Sequence, residues 1–140
     1  MINGIGVDLV AINRFDSWKS FSPERLNKVF SDQELIDARD KNGNLISAKL
    51  ASRFAAKEAF YKALSSVCVA HPEFKQSFSL LQILSAVEMR YDARGVPFLR
   101  VDWFRVIAVV DFKMPPLQVH LSLSHEQSQA IAFVVIERVS

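Results

Sequence analysis

The spacing of apolar and polar positions changes repeatedly along the chain, and each change predicts an element. From Met1 to Val10, Ile5, Val7 and Leu9 alternate with Gly4, Gly6 and Asp8, a period of two that predicts a strand. The second face of that strand is nearly bare. Glycines there admit another backbone or a ligand, and Asp8 is the one functional group standing on that surface. An Asp ending a strand near a turn is the plainer alternative.

From Ala11 to Lys41 the pattern becomes helical in short pieces. Ser22 followed by Pro23 marks one helix start, and Ser31 with Glu34 makes a capping box for another. After a polar loop, Lys41 to Asn44, the stretch Ala48 to Leu64 predicts a helix of about four turns, rich in Ala, Leu, Lys and Glu and free of Gly and Pro. On its helical wheel Leu50, Phe54, Phe60, Tyr61 and Leu64 fill a broad apolar arc, opposite a small-residue arc of Ser52, Ala56, Ala59 and Ala63. No fully polar face remains, so the helix is expected to be buried on two sides. Arg53 and Lys57 lie inside the bulky arc, and Glu58 and Lys62 sit together beside it. Charges there need partners or a ligand, because an unpaired buried charge is costly. The competing reading of Glu58 and Lys62 is a surface pair four residues apart, worth a few tenths of a kcal/mol.

Beyond the helix, residues 65–79 contain Pro72 and little periodicity and predict a long loop. Leu80 to Tyr91 and Val96 to Val101 flank the turn chemistry of Asp92 to Gly95 and predict a hairpin. Trp103, Val106, Ile107 and Val110 have helical spacing, although a buried strand fits Val106 to Val110 equally; Met114 to Pro116 ends the element either way. Val119, Leu121 and Leu123 alternate with His120, Ser122 and Ser124 before a polar turn and a β-rich run. This is a second hairpin, with His125 and Glu126 at its turn.

Composition narrows the class. The 140 residues form one domain, 1–140, with half of them hydrophobic and eleven Phe, ample for a packed core. A net charge of +2 without a Lys/Arg run argues against bulk nucleic-acid binding. Any basic function must be local, and Arg14, Lys19, Arg25 and Lys28 supply one candidate face, either solvated or docking an acidic partner. The single Cys68, the absence of a basic and apolar leader, and apolar runs too short to span a bilayer point to a cytoplasmic protein with no membrane association.

Taken together, GIGVDLVAINRF near the start, RFAAKEAFYKAL in the middle and LSLSHEQSQAIAFVV at the end resemble the phosphopantetheinyl transferases, nearest to the small holo-acyl-carrier-protein synthase type. Three linked motifs in the expected order, with a DARGVPFL hairpin between the last two, make the likeness specific. The resemblance implies an α+β fold in which a small antiparallel sheet packs around a long central helix. It implies Mg²⁺-dependent transfer of the 4′-phosphopantetheine group of coenzyme A to a serine of an apo acyl carrier protein of fatty-acid or polyketide type. Asp8 and Glu58 are the implied metal ligands, with water and the coenzyme A pyrophosphate completing the set. Glu58 and Lys62 are the implied catalytic pair: Lys62 stabilises the leaving group, and the serine proton goes either to Glu58 or to a water on the metal. Ser124 and His125 match the coenzyme-contacting motif, Arg53 and Lys57 are further phosphate contacts or structural ion pairs, and Arg14 and Arg25 dock the acidic carrier. Members of this size form homotrimers with coenzyme A between subunits.

Two departures accompany the likeness. The family's central helix runs into a short Gly-rich turn, where this chain has Ser65, Ser66, Val67 and Cys68, and Phe60 and Tyr61 replace smaller residues. Glycines permit backbone conformations that Ser and Val resist. The missing glycines support the alternative of a catalytically weakened carrier-binding module on the same scaffold. A coenzyme A thioester hydrolase fits less well, because no activated nucleophile is apparent.

Overall fold

The computed structural model describes every residue except 74–76, 112, 114 and 140. Strand β1 (Ile2–Ala11) runs into two 3₁₀ turns (Ile12–Phe15 and Ser17–Ser20), short helices α1 (Pro23–Asn27) and α2 (Asp32–Asp37), and the long helix α3 (Ser47–Val69). Helix α4 (Leu80–Ser85), strands β2 (Val87–Tyr91) and β3 (Pro97–Val101), helix α5 (Trp103–Val110) and strands β4 (Leu117–His125) and β5 (Gln129–Arg138) follow. The sheet order is β1-β5-β4, antiparallel throughout, and β2 and β3 form a separate hairpin. Helix α3 packs against the three-stranded sheet on one side and against α4 and β2 on the other. This is the α+β arrangement expected from the sequence.

The bare face of β1 meets the small-residue face of α3. A Cβ built on Gly4 would stand 2.3 Å from the Ala63 carbonyl oxygen, and one on Gly6 would stand 2.0 Å from that of Ala59. Between the two possibilities left by the sequence, another backbone rather than a ligand occupies the space beside these glycines. Glycine and alanine let strand and helix axes approach far more closely than ordinary side chains allow. On the other side of α3, Leu50, Phe60 and Leu64 are fully buried, and Phe60 meets Trp103 edge-on at 6.1 Å. Phe60 is therefore a core residue.

Most of the strand's apolar residues face away from the core, Val10 excepted. Ile5, Val7 and Leu9 are about half exposed, at 54%, 48% and 57%. Val7 pairs with Phe133 and Leu9 with Ile131 across β5, so these side chains form one continuous apolar surface on the outer face of the sheet.

The caps form as predicted. The Ser22 side chain accepts from the Arg25 amide, and Ser31 and Glu34 make a complete capping box. Two expectations are corrected. Helix α3 does not stop at Leu64 but continues to Val69, because Val67 and Cys68 bury a last apolar turn, Val67 lying beside Gly4. The first half of Leu80 to Tyr91 is helix α4, capped by Ser79, and only Val87–Tyr91 is strand. Of the alternatives for residues 103–110, the structure selects a helix; it closes at Asp111, whose backbone is left-handed with φ 55°. Residues 74–76 of the expected long loop, and Met114 of the expected terminator, lie outside the described residues.

Candidate active site

Asp8 occupies the third inward position of β1 after Gly4 and Gly6, and the same close packing carries its carboxylate to the edge of α3. The carboxylate is nearly buried, at 6% exposure. Its Oδ1 lies 3.0 Å from Lys62 Nζ, which also donates to the Val7 carbonyl at 3.0 Å. Its Oδ2 is buried without a hydrogen-bond partner among the described residues. A buried, unsatisfied carboxylate oxygen is costly unless something absent from the protein completes it.

Glu58 lies one helical turn from Lys62 on the same face of α3. Burial, and then the charge of Asp8 beside it, push the Glu58 carboxyl above its ordinary value of 4.5, while Lys62 and Arg14 pull it back. Lys62 pairs across to the strand, so the simple surface pair within the helix is not what the structure shows. The arrangement is two converging carboxylates, one orphaned oxygen and a half-exposed ammonium.

This set fits a hard divalent cation. Two carboxylates held close repel each other, and a cation between them relieves that repulsion and satisfies Asp8 Oδ2 together. Among the described residues no group of three or more His, Cys, Asp or Glu side chains converges, so Asp8 and Glu58 are the side chains that would hold it. Oxygen-only ligation by few protein groups, with room for water and phosphate, is the donor chemistry of Mg²⁺.

Other expected site residues lie elsewhere. Lys57 is 1% exposed, and its Nζ pairs with Glu34 Oε1 at 2.6 Å and donates to the Val29 carbonyl. Burial lowers its pKa, opposed by the Glu34 charge. Lys57 is thus a structural ion pair and not an open phosphate contact. Glu34 also accepts the amides of Ser31 and Met89, so one carboxylate ties α2, β2 and α3 together. Arg53, about 140° around the helix from Glu58, is 2% exposed and donates to the Lys49 carbonyl at 3.0 Å. Its guanidinium lies over the Tyr91 ring, which turns it toward the hairpin and away from Asp8.

Ser124 and His125 do not join Asp8 within one chain. They line a cavity of about 300 Å³ with Leu9, Glu126, Gln129 and Ile131 at the end of the sheet. Two strand spacings and two residues along β4 separate His125 from the Asp8 row, roughly 12 Å between Cα atoms. A larger cavity of about 570 Å³ opens on the far side of α3, beside Phe30, Lys57, Glu88 and Trp103, remote from the carboxylate pair.

Arg14 is held over the rings of Phe54, Phe15 and Trp18, at 4.9, 5.7 and 5.9 Å from their centroids, and Arg25 lies 3.6 Å above Phe21. Both are exposed on the face that follows β1. Sequence reasoning missed the Glu34 to Lys57 pair, although the capping box had already singled out Glu34. It also missed the charge that Arg14 exerts on Glu58; the only signal was the proximity of Arg14 to Asp8 along the chain.

Residues 4–134 match the 4′-phosphopantetheinyl transferase superfamily. The holo-(acyl-carrier-protein) synthase of Wolbachia sp. subsp. Brugia malayi is 38% identical over 97% of this chain and 96% of the relative. That of Halothermothrix orenii is 39% identical over 98% of each. Among solved structures, a Chronobacterium ammoniagenes ACPS–CoA complex superposes with a TM-score of 0.76 at 28% identity over 98% of both chains. A Bacillus anthracis holo-(acyl-carrier-protein) synthase in complex with CoA (3′,5′-ADP) superposes with a TM-score of 0.68 at 27% identity over 99% of both.

Proposed function

We propose, from the premise that the chain belongs to the 4′-phosphopantetheinyl transferase superfamily, that it is an enzyme transferring the 4′-phosphopantetheine group of coenzyme A to a serine of an apo acyl carrier protein. The observation that carries the site assignment is the convergence of Asp8, Glu58 and Lys62 around an unsatisfied Asp8 oxygen. Asp8 and Glu58 would hold Mg²⁺, which when bound would supply positive charge at the phosphate oxygens.

The serine oxygen bonds to the β-phosphorus, the bond from that phosphorus to the oxygen shared with the α-phosphate breaks, and adenosine 3′,5′-bisphosphate leaves with the electron pair. Glu58, beside Asp8 at the edge of α3, accepts the serine proton. Lys62 Nζ, half exposed and fixed by Asp8 and Val7, faces the departing phosphate and offsets its growing charge. Arg14 and Arg25 dock the acidic carrier.

Three copies associate through the outer face of the sheet, where Ile5, Val7, Leu9, Ile131 and Phe133 form an apolar surface. Since one chain keeps Ser124 and His125 apart from Asp8, a neighbouring copy contributes them to the coenzyme site. No helix among the described residues is long and apolar enough to cross a membrane, which agrees with an enzyme that works in the cytoplasm.

The deciding test mixes the protein with coenzyme A, Mg²⁺ and apo carrier proteins and measures carrier mass. A gain equal to one phosphopantetheine group, abolished by chelating the metal, is expected. No gain across several carriers, with carrier binding intact, leaves the binding-module reading in its place.

A further inference from the structure

Arg14 lies in the 3₁₀ turn Ile12–Phe15 that follows β1, six residues beyond Asp8. Its guanidinium stands on a shelf of three rings that pack on one another, Phe15, Trp18 and Phe54. Phe54 is four residues before Glu58, so its ring lies one turn away on the same face of α3. The shelf therefore fixes a cation beside the carboxylate pair, and the charge of Arg14 is among those acting on Glu58. No acceptor among the described residues takes its N–H groups. A stacked guanidinium with all five donors unspent is held in place for a ligand that brings its own oxygens.

The charge inventory points the same way. The two carboxylates balance a divalent cation, and Lys62 offsets one of the two negative charges of a bound diphosphate. One charge remains, and Arg14 is the cation whose position matches it. Its planar fork suits two non-bridging phosphate oxygens, which an ammonium grips only as a point charge.

We propose that Arg14 binds the diphosphate of coenzyme A directly and acts in the phosphoryl transfer itself, in addition to any contact with the carrier. As the serine oxygen bonds to the β-phosphorus and the bond to the bridging oxygen breaks, Arg14 neutralises charge on the non-bridging oxygens of the transferring group. This rests on the transferase reading above.

The test separates coenzyme from carrier. Coenzyme A affinity is measured by titration calorimetry on the full chain with Mg²⁺ and no carrier present, for wild type, Arg14→Gln and Arg14→Lys, with thermal melts to confirm folding. Loss of a charge-assisted contact predicts that Arg14→Gln binds coenzyme A at least about ten-fold more weakly, with Arg14→Lys in between. At saturating carrier, kcat falls in both variants. If Arg14→Gln binds coenzyme A as wild type does and only KM for the carrier rises, Arg14 is a docking residue and the inference is overturned. Wild type that fails to bind coenzyme A removes the transferase reading and this inference with it.

Discussion

Substituting Gly6 by Ala tests whether the contact between β1 and α3 sets the geometry of the carboxylate pair. The added Cβ would lie 2.0 Å from the Ala59 carbonyl oxygen and 2.6 Å from the Ala63 amide nitrogen, where ordinary contact begins at 3.4 Å. Both obstructing atoms belong to helix backbone, so no rotamer change relieves the clash. Strand and helix must separate by about 1 Å or more, and overpacking of this kind costs typically 1–3 kcal/mol, with the rigid obstruction favouring the upper end. For a chain of this length that lowers Tm by roughly 10 °C. Asp8 is two residues farther along the same strand face, and a shift of that size breaks its 3.0 Å contact with Lys62. A misplacement of about 1 Å can cost about 100-fold in rate. Thermal melts, coenzyme A titration with Mg²⁺ and the carrier mass assay at a temperature where the variant stays folded measure the three effects. A folded Gly6→Ala protein with near wild-type rate and Tm would falsify the claim that this backbone contact aims Asp8.

Glu58→Gln is expected to lower transfer by about 10²–10⁴-fold, as for loss of an acid–base group, while raising the stability of the metal-free protein. The folded pKa of Glu58 is raised, so its ionisation works against folding at neutral pH; the gain should appear above the unfolded value of 4.5 and vanish below it. Urea titrations of both proteins at pH 4 and pH 7 check the sign. Lys57→Met strands the Glu34 carboxylate and should cost about 3–5 kcal/mol, yet coenzyme A affinity of the folded fraction should not change; a large affinity loss would restore the phosphate-contact role. Val7→Lys with Phe133→Lys should leave the chain folded but dissociate the proposed trimer in sedimentation experiments, and an unchanged mass would exclude the outer sheet face as the interface. Burial raises the Cys68 thiol to about 11, so thiol reagents at pH 8 should react slowly until denaturant is added.

What was legible in the sequence followed from local periodicity and short-range hydrogen bonding. The alternation in β1 and in the last hairpin, the caps at Ser22 and Ser31 and the Ala-rich core of α3 all depend on residues close in the chain. Helix α4 was not legible because the apolar stretch Leu80 to Leu84, interrupted only by Gln82, fits a buried strand as well as a helix; the missed signal was Ser79, which accepts the Gln82 amide. The last turn of α3 was missed because Ser, Val and Cys are middling helix formers. Packing against β1 decides it, and that contact joins Val67 to Gly4.

The carboxylate pair shows why part of a site can be read before its fold is known. Glycines opposite a row of β-branched and leucine residues leave one strand face without side chains, and an Ala face on a helix leaves a matching absence. Two bare faces can only pack on each other, so the polar groups at their margin, Asp8 on the strand and Glu58 with Lys62 on the helix, are brought together by the same fact that makes the faces bare. Lys57 carries the same charge as Lys62 and lies closer to Glu58 in sequence, but it projects into the bulky arc. There Glu34, 23 residues earlier, meets it in the core. The helical wheel puts the two lysines on different arcs; what separates their roles is which side of α3 meets the glycine strand.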